Sequence, residues 1–316
     1  MEFDLIERIR ERCATARADV VLGIGDDAAV LDVPAGRQLV ACTDTLVAGV
    51  HFPEVTAPED IGWKSLAVNL SDLAAMGAEP AWALLALTLP ESDMQFVERF
   101  ADGFARLACK HDVALVGGDT TQGPLSVTVT ALGSVPAGSA LTRSGARAGD
   151  AVFVSGTLGD AAGALRLMRD CRGVPETLLA RMQRPQPRIP AGLALRGMAS
   201  ACIDISDGLL ADLGHVCAAS GVGAELDADA LPISSALAGT FDAEVCCELA
   251  VSGGDDYELC FTVPLGYEAE LVAAVARTGC RATRIGRIVA GSGVRVMDAH
   301  DLDVTPAQAG WEHFSG

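Results

Sequence analysis

Six segments of this chain set aspartate beside Gly, Ser or Thr where an apolar run or a helix gives out. They are Gly25-Asp26-Asp27, Thr43-Asp44-Thr45, Ser71-Asp72, Gly117-Gly118-Asp119-Thr120, Asp204-Ile205-Ser206-Asp207-Gly208 and Ser252-Gly253-Gly254-Asp255-Asp256. Acidic side chains are seldom buried unless something pairs them. Partners are scarce, since 42 Asp and Glu face 23 Lys and Arg, for a formal net charge of −19, and only Lys64 and Lys110 are lysines. A fold that gathers these turns at one sheet edge makes an all-oxygen pocket with excess negative charge, which a cation balances. Taken singly, each acid is an ordinary turn or cap residue; the repetition carries the argument.

Oxygen donors without His or Cys partners point to Mg²⁺ or Ca²⁺ and away from zinc, and the spacing of an EF-hand is not present. Mg²⁺ binds through one or two carboxylates plus substrate phosphates, so a nucleotide is its natural companion. Glycines at 117, 118, 253 and 254 allow backbone N–H groups close to phosphate oxygens. There is no GxxxxGK[ST], no GxGxxGxV with its VAIK lysine and no HRD loop, which excludes P-loop and protein-kinase layouts. The charge balance argues against nucleic acid as a partner.

Ten cysteines are scattered from Cys13 to Cys280 with no CxxC pair, and read as small buried hydrophobes in a reducing compartment. The adjacent Cys246 and Cys247 suit the two faces of a strand. No apolar run reaches about eighteen residues, and Met1-Glu2-Phe3-Asp4 carries acids where a signal peptide carries bases, so a cytoplasmic protein without a membrane partner is expected.

With 316 residues, two domains of ordinary size are expected. The polar stretch Leu141 to Asp150 is the boundary, giving domains 1–140 and 141–316. Periodicity predicts a helix over 2–13 with Phe3, Ile6 and Ile9 on one side, strands over 20–24 and 38–42, and a helix from Pro58 to about Met76 stopped by Gly77. A strand over 83–89 and a helix capped by Ser92 follow, with Phe96, Phe100 and Phe104 as its core stripe. Strands over 113–116 and 125–135 complete the first half. The second half has strands near 152–154, 202–205, 222–226, 259–263, 283–289 and 293–297, with helices over 159–168, 190–199, 208–219 and 268–278. The pattern is α/β or α+β. Asp72, near the helix C-terminus, opposes the dipole and has no base three or four residues away; a bound cation or plain exposure both account for it.

Read as strings, Gly25-Asp26-Asp27-Ala28-Ala29, Thr43-Asp44-Thr45-Leu46-Val47 with His51-Phe52, Ala67-Val68-Asn69-Leu70-Ser71-Asp72-Leu73-Ala74-Ala75-Met76-Gly77, Gly117-Gly118-Asp119-Thr120, Thr142-Arg143-Ser144-Gly145, Asp204-Ile205-Ser206-Asp207-Gly208-Leu209 and Ser252-Gly253-Gly254-Asp255-Asp256-Tyr257-Glu258-Leu259 resemble the thiamine-monophosphate kinase family, in its order and over nearly the whole chain. The resemblance implies a two-domain fold of the aminoimidazole ribonucleotide synthetase type. In it, domain 1–140 binds ATP and Mg²⁺ and forms the homodimer interface with its sheet, and α/β domain 141–316 completes the active site. It implies transfer of the ATP γ-phosphoryl group to thiamine monophosphate, giving thiamine diphosphate, the last step of that biosynthesis.

By matching position, the resemblance implies that Asp27, Thr43, Asp44, Asp72, Asp119, Asp204 and Asp207 hold several Mg²⁺ ions. Gly118, Asp119, Arg143 and Ser206 contact ATP, and His51, Asp255 and Trp311 lie along thiamine monophosphate. This chain departs from the family's pattern in three places: Cys42 where Ser is usual, Asp255 where Glu is usual, and Trp311 where Tyr is often found. A phosphate monoester has its second pKa near 6 and is largely dianionic at pH 7, so no general base is assigned. His111, His215, His300 and His313 are given no role, and Trp63 and Trp82 are expected in the core. Two other readings remain open at this point: an ATP-dependent enzyme of the same fold with another acceptor, and a non-catalytic divalent-ion scaffold.

Overall fold

The computed structural model describes residues 2–13 and 15–311, and the chain divides into two compact units. Residues 1–73 and 78–138 form one, and residues 74–77 and 139–316 the other. His313 and the side chain of Phe3 lie outside the described residues.

The first unit contains, in order, α1 (Glu2–Arg12), β1 (Val20–Leu22), β2 (Val30–Leu31), β3 (Arg37–Val47), α2 (Pro58–Ala75, whose last two residues fall in the second unit), β4 (Glu79–Leu89), α3 (Met94–Lys110), β5 (Ala114–Gln122) and β6 (Ser126–Pro136). β1 and β2 make a small antiparallel ribbon. The main sheet runs β3-β6-β4-β5, antiparallel except for the β4–β5 pair, which α3 connects as a crossover. Period-two alternation in β6 buries Val127, Val129 and Ala131 on one face and leaves Thr128 and Thr130 on the other.

α3 is capped by Asp93, whose carboxylate accepts from Phe96 N at 3.0 Å; Ser92, the expected cap, lies one residue outside. Asp93 has the better geometry for the same reason Ser92 looked suitable, an oxygen within reach of the first turn's free N–H groups. Phe100 and Phe104 are fully buried and Phe96 half-buried, as the stripe predicts. α2 and α3 touch backbone to backbone: a Cβ at Gly103 would sit 1.9 Å from Glu59 O, and one at Gly62 would sit 2.1 Å from Phe100 O. Glycine is the one residue type that permits this approach.

The second unit contains β7 (Ala151–Ser155), α4 (Asp160–Arg169), α5 (Glu176–Gln183), α6 (Ile189–Leu195), β8 (Ala201–Asp204), α7 (Leu209–Ser220), β9 (Gly223–Asp227), α8 (Ser235–Ala238), α9 (Ala243–Ser252), β10 (Leu259–Val263), α10 (Glu268–Ala276), β11 (Ala282–Val289) and β12 (Gly293–Met297). Its sheet has the order β12-β9-β11-β7-β10-β8, with β12 and β9 parallel and the other neighbours antiparallel. Leu209, Leu213 and Val216 of α7 pack on Val152, Ile203 and Ile285 of this sheet, while α4, α5, α8 and α9 share a second apolar cluster around Leu167, Leu178 and Leu249.

Cys246 and Cys247 lie in helix α9 and not in a strand, because the segment opens on an Asp242 cap that accepts from Val245 N at 2.9 Å. All ten cysteines are free thiols; most are buried, but Cys109 and Cys171 are exposed. No described helix is long and apolar enough to cross a membrane. Gly103→Ala is expected to lower unfolding free energy by at least about 2 kcal/mol in urea titration, because the new methyl must separate two packed backbones. A loss below about 0.5 kcal/mol would contradict the close crossing.

Candidate active site

β3 and α2 bring two of the expected ligands together. Asp44 sits inside β3 and not at its end, and alternation turns Cys42, Asp44 and Leu46 to one face and Thr43 and Thr45 to the other. Asp44 is hydrogen-bonded to Asp72 of α2. Cys42 belongs to the same group: its Sγ donates to Asn69 O at 3.3 Å and is hydrogen-bonded to Asp72. Burial, with the charges of Asp72 and Asp44 behind it, pushes the Cys42 thiol far up, so it stays neutral. Burial also raises Asp44, against the hydrogen bond from Asp72.

Two half-buried carboxyls in contact disfavour each other's ionised form, and an all-oxygen pair suits a hard cation. Among the described residues no three or more His, Cys, Asp or Glu side chains form a ready-made metal cage, so further oxygens from a ligand or water would complete the shell. Thr43 Oγ1 instead bonds Thr130 Oγ1 at 2.8 Å on the opposite face of the strand.

Asp119 also lies within a strand, paired across from Ala86 of β4, and its carboxylate accepts from Thr120 N at 2.9 Å. Gly118 has φ +153°, and a Cβ there would meet Leu85 O at 1.8 Å. The glycine is thus required by the neighbouring backbone whether or not a ligand binds. Ile6, Ile9, Ile24, Leu85 and Leu115 wall a groove that ends on Gly117 to Thr120. Asp27 is exposed on the loop between β1 and β2, where Asp27 N donates to Asp26 Oδ1 at 2.8 Å; Asp26 therefore closes the turn. His51 Nδ1 accepts from Val47 N at 3.0 Å, and its carbonyl accepts from Lys64 Nζ at 3.1 Å. With Nδ1 accepting, the neutral ring carries its proton on Nε2 and presents a donor there.

In the second unit, antiparallel register sets Asp204, the last residue of β8, against Leu259, the first of β10. The loop after β8 and the loop before β10 must then run side by side. Asp255 N donates to Ser206 O at 2.8 Å and Tyr257 N to Ile205 O at 2.8 Å, while Trp311 N donates to Asp207 O at 3.0 Å. Ser206, Asp207, Asp255 and Trp311 are so gathered in one place, with Asp204 buried beneath and the Trp311 ring 47% exposed. Asp255 and Tyr257 both hold positive φ, 68° and 49°, and Tyr257 Oη donates to Asp255 Oδ1 at 2.9 Å. Left-handed backbone on two side-chain-bearing residues is strain of the kind that collects at functional loops.

The other acids of that string are anchors. Both oxygens of buried Asp256 accept from Gly159 N at 3.0 Å, and burial holds its carboxyl well above the usual range. Buried Glu258 takes Arg181 Nη2 and Arg188 Nε at 2.6 Å and Ser155 Oγ at 2.5 Å. Asp212, a residue with no assigned role from sequence, accepts from the N–H groups of Ser206, Asp207 and Gly208 at 3.0, 3.1 and 3.1 Å. Its carboxyl is pushed up to about 7 by burial first, then by Asp204 and Asp207.

The backbone at Arg143 is anchored away from this group, toward the C-terminal end of α7. Its neighbour Thr142 accepts, through its carbonyl, from Cys202 N near the start of β8, and its own carbonyl accepts from Ser220 Oγ at the last residue of α7. The twelve residues of α7 separate that point from Gly208 by about 18 Å of helix.

Two family models match, the AIR synthase related protein N-terminal domain over residues 25–135 and its C-terminal domain over residues 147–299. A thiamine-monophosphate kinase of Salmonella typhimurium is 48% identical over 319 residues, covering 99% of this chain and 98% of that protein. The chain belongs to the thiamine-monophosphate kinase family. A solved thiamine-monophosphate kinase from Stenotrophomonas maltophilia K279a superimposes with a TM-score of 0.88 at 54% identity, covering 93% of this chain and 96% of that one. AaThiL, solved in complex with AMPPCP and TMP, superimposes with a TM-score of 0.78 at 36% identity over 99% of this chain and 97% of that one. The two-domain mixed α/β architecture expected from sequence is thus the architecture of this kinase family.

Within this member, the buried Glu258 hub supports the strained loop that carries Asp255. Removing the acid leaves two guanidinium groups facing a desolvated space. Glu258→Ala should cost roughly 3–5 kcal/mol of stability in urea unfolding. A loss under about 1 kcal/mol would show that Arg181 and Arg188 do not depend on it.

Proposed function

We propose that this chain transfers the γ-phosphoryl group of ATP to the phosphate of thiamine monophosphate, forming thiamine diphosphate as the last step of its synthesis. The observation that carries this reading is the Asp44–Asp72 contact, two half-buried carboxyls held together by β3 and α2, in a family whose named members are thiamine-monophosphate kinases. AaThiL, which binds AMPPCP and TMP, supports the same two ligands here.

The residues that would hold Mg²⁺ are Asp27, Asp44, Asp72 and Asp119 in the first unit and Asp204 and Asp207 in the second. Thr43, whose hydroxyl is engaged on the other strand face, is the least suited of the expected set. Bound Mg²⁺ would neutralise the approaching phosphates and stabilise charge on the transferring group.

The chain's own side chains supply position. Gly118 and Asp119, at the end of the apolar groove, suit the nucleotide. In the second unit Ser206 offers a hydroxyl and the exposed Arg143 a bidentate fork, each to phosphate oxygens of its own. His51 offers an Nε2 donor to the substrate. The exposed Trp311 indole suits stacking on a cationic heterocycle, and Asp255, oriented by Tyr257, supplies a compensating negative charge. No residue is needed as general base, since the acceptor oxygen is already ionised at pH 7. Alignment of two anions is then the main task.

The first unit's sheet leaves Leu39 and Leu84 exposed on the same face as Thr43 and Thr45, and this open face suits a homodimer. A cytoplasmic location fits the free thiols. The test is ADP release with Mg²⁺, ATP and thiamine monophosphate, with free thiamine as control. Turnover is expected only with the phosphorylated acceptor, and Asp44→Asn and Asp72→Asn should each cut it about 100-fold or more while thermal unfolding stays cooperative. Wild-type rates in both variants, or equal use of thiamine, would overturn the assignment.

A further inference from the structure

The three residues leading into α7 form a natural anion nest, with the N–H groups of Ser206, Asp207 and Gly208 turned to one point. In most phosphate sites of this kind the point is open. Here it is taken by the chain itself: Oδ2 of Asp212, from the first turns of the same helix, accepts all three N–H groups, and the side chain is 3% exposed. Asp212 is set among apolar neighbours, Leu209, Leu210 and Leu213, all buried. Nothing about packing calls for a carboxylate there. What it touches is the loop whose Ser206 and Asp207 are half-buried and whose carbonyls accept from Asp255 N and Trp311 N.

We propose that Asp212 is a positioning residue that plugs this nest with its own carboxyl oxygen, so that the 204–208 loop takes its ligands through the side chains of Asp204, Ser206 and Asp207, and thereby favours a cation over a bare phosphate. The inference rests on the kinase reading above for the identity of the ligands, but not for the nest itself. Two consequences separate it from a purely structural role. With the plug in place the loop's donors are spent and a free anion finds no vacancy; without it the three N–H groups become an anion site. The loop conformation that presents Asp204 and Asp207 as oxygen ligands also depends on an acceptor at this point. An amide oxygen meets that requirement; a methyl group does not.

The experiment compares wild type, Asp212→Ala and Asp212→Asn by thermal unfolding against inorganic phosphate and against Mg²⁺, and by the Mg²⁺ concentration giving half-maximal turnover. Asp212→Ala is expected to gain a phosphate-dependent rise in Tm that wild type lacks, and to need at least about ten-fold more Mg²⁺. Asp212→Asn is expected to stay within about three-fold of wild type in Mg²⁺ requirement, with no phosphate response. The proposal is overturned if folded Asp212→Ala matches wild type in both responses, or if the Ala and Asn variants are equally impaired. Should Asp212→Ala fail to fold, Asp212→Asn decides: a Mg²⁺ requirement near wild type upholds the proposal, and a ten-fold rise sinks it. A wild-type protein inactive on thiamine monophosphate would remove the kinase reading alone, and the phosphate and Mg²⁺ shifts in Tm would still judge the nest.

Discussion

The contact between Asp44 and Asp72 is the constraint to which the first unit is built. It needs an eleven-residue strand whose alternation turns position 44 inward and an eighteen-residue helix whose last turn arrives above it. The helix dipole works against Asp72, burial works against Asp44, and the neutral Cys42 thiol adds no charge to relieve either. Two unfavourable placements thus meet in one spot, and a positive charge bound there would offset both. The fixed backbone around it, with Gly62 and Gly103 letting α2 and α3 lock together, keeps the pair from relaxing apart.

The second unit uses its acids in the opposite way. Asp256, Glu258 and Asp212 are buried, and each is consumed by donors from its own fold: one backbone N–H, two arginines and a serine, and three backbone N–H groups. They are scaffolding for the exposed or half-exposed members, Asp207 and Asp255. Part of the chain's acidic side chains is thus held by donors of its own fold, and part stays accessible.

The architecture was legible because apolar periodicity and Gly-Asp turns report local structure directly. Val127, Val129 and Ala131 alternate as a half-buried strand must, and Phe100 and Phe104 repeat as a buried helix face must. The strand positions of Asp44 and Asp119 were less legible, since a polar residue inside a ladder looks like the end of a strand when only hydropathy is read. The helical state of Cys246 and Cys247 was missed for a related reason: an Asp cap outweighed the apolar run. Least visible were the anchors. Glu258 meets Arg181 and Arg188 across 77 and 70 residues of sequence, and Asp212 acts on backbone N–H groups that carry no signature in side-chain chemistry. The anchoring of the Arg143 backbone at Ser220 is likewise a property of where α7 ends, and no motif encodes it.

The proposed kinase function requires these carboxylates to bind divalent cations together with a nucleotide. Mn²⁺, a spectroscopic stand-in for Mg²⁺, reports this directly through the loss of its free electron-paramagnetic-resonance signal on titration into the protein, with and without a non-hydrolysable ATP analogue. The account predicts more than one Mn²⁺ bound per chain and markedly tighter binding when the analogue is present. Absence of binding, or Mn²⁺ affinity indifferent to the nucleotide, would contradict it.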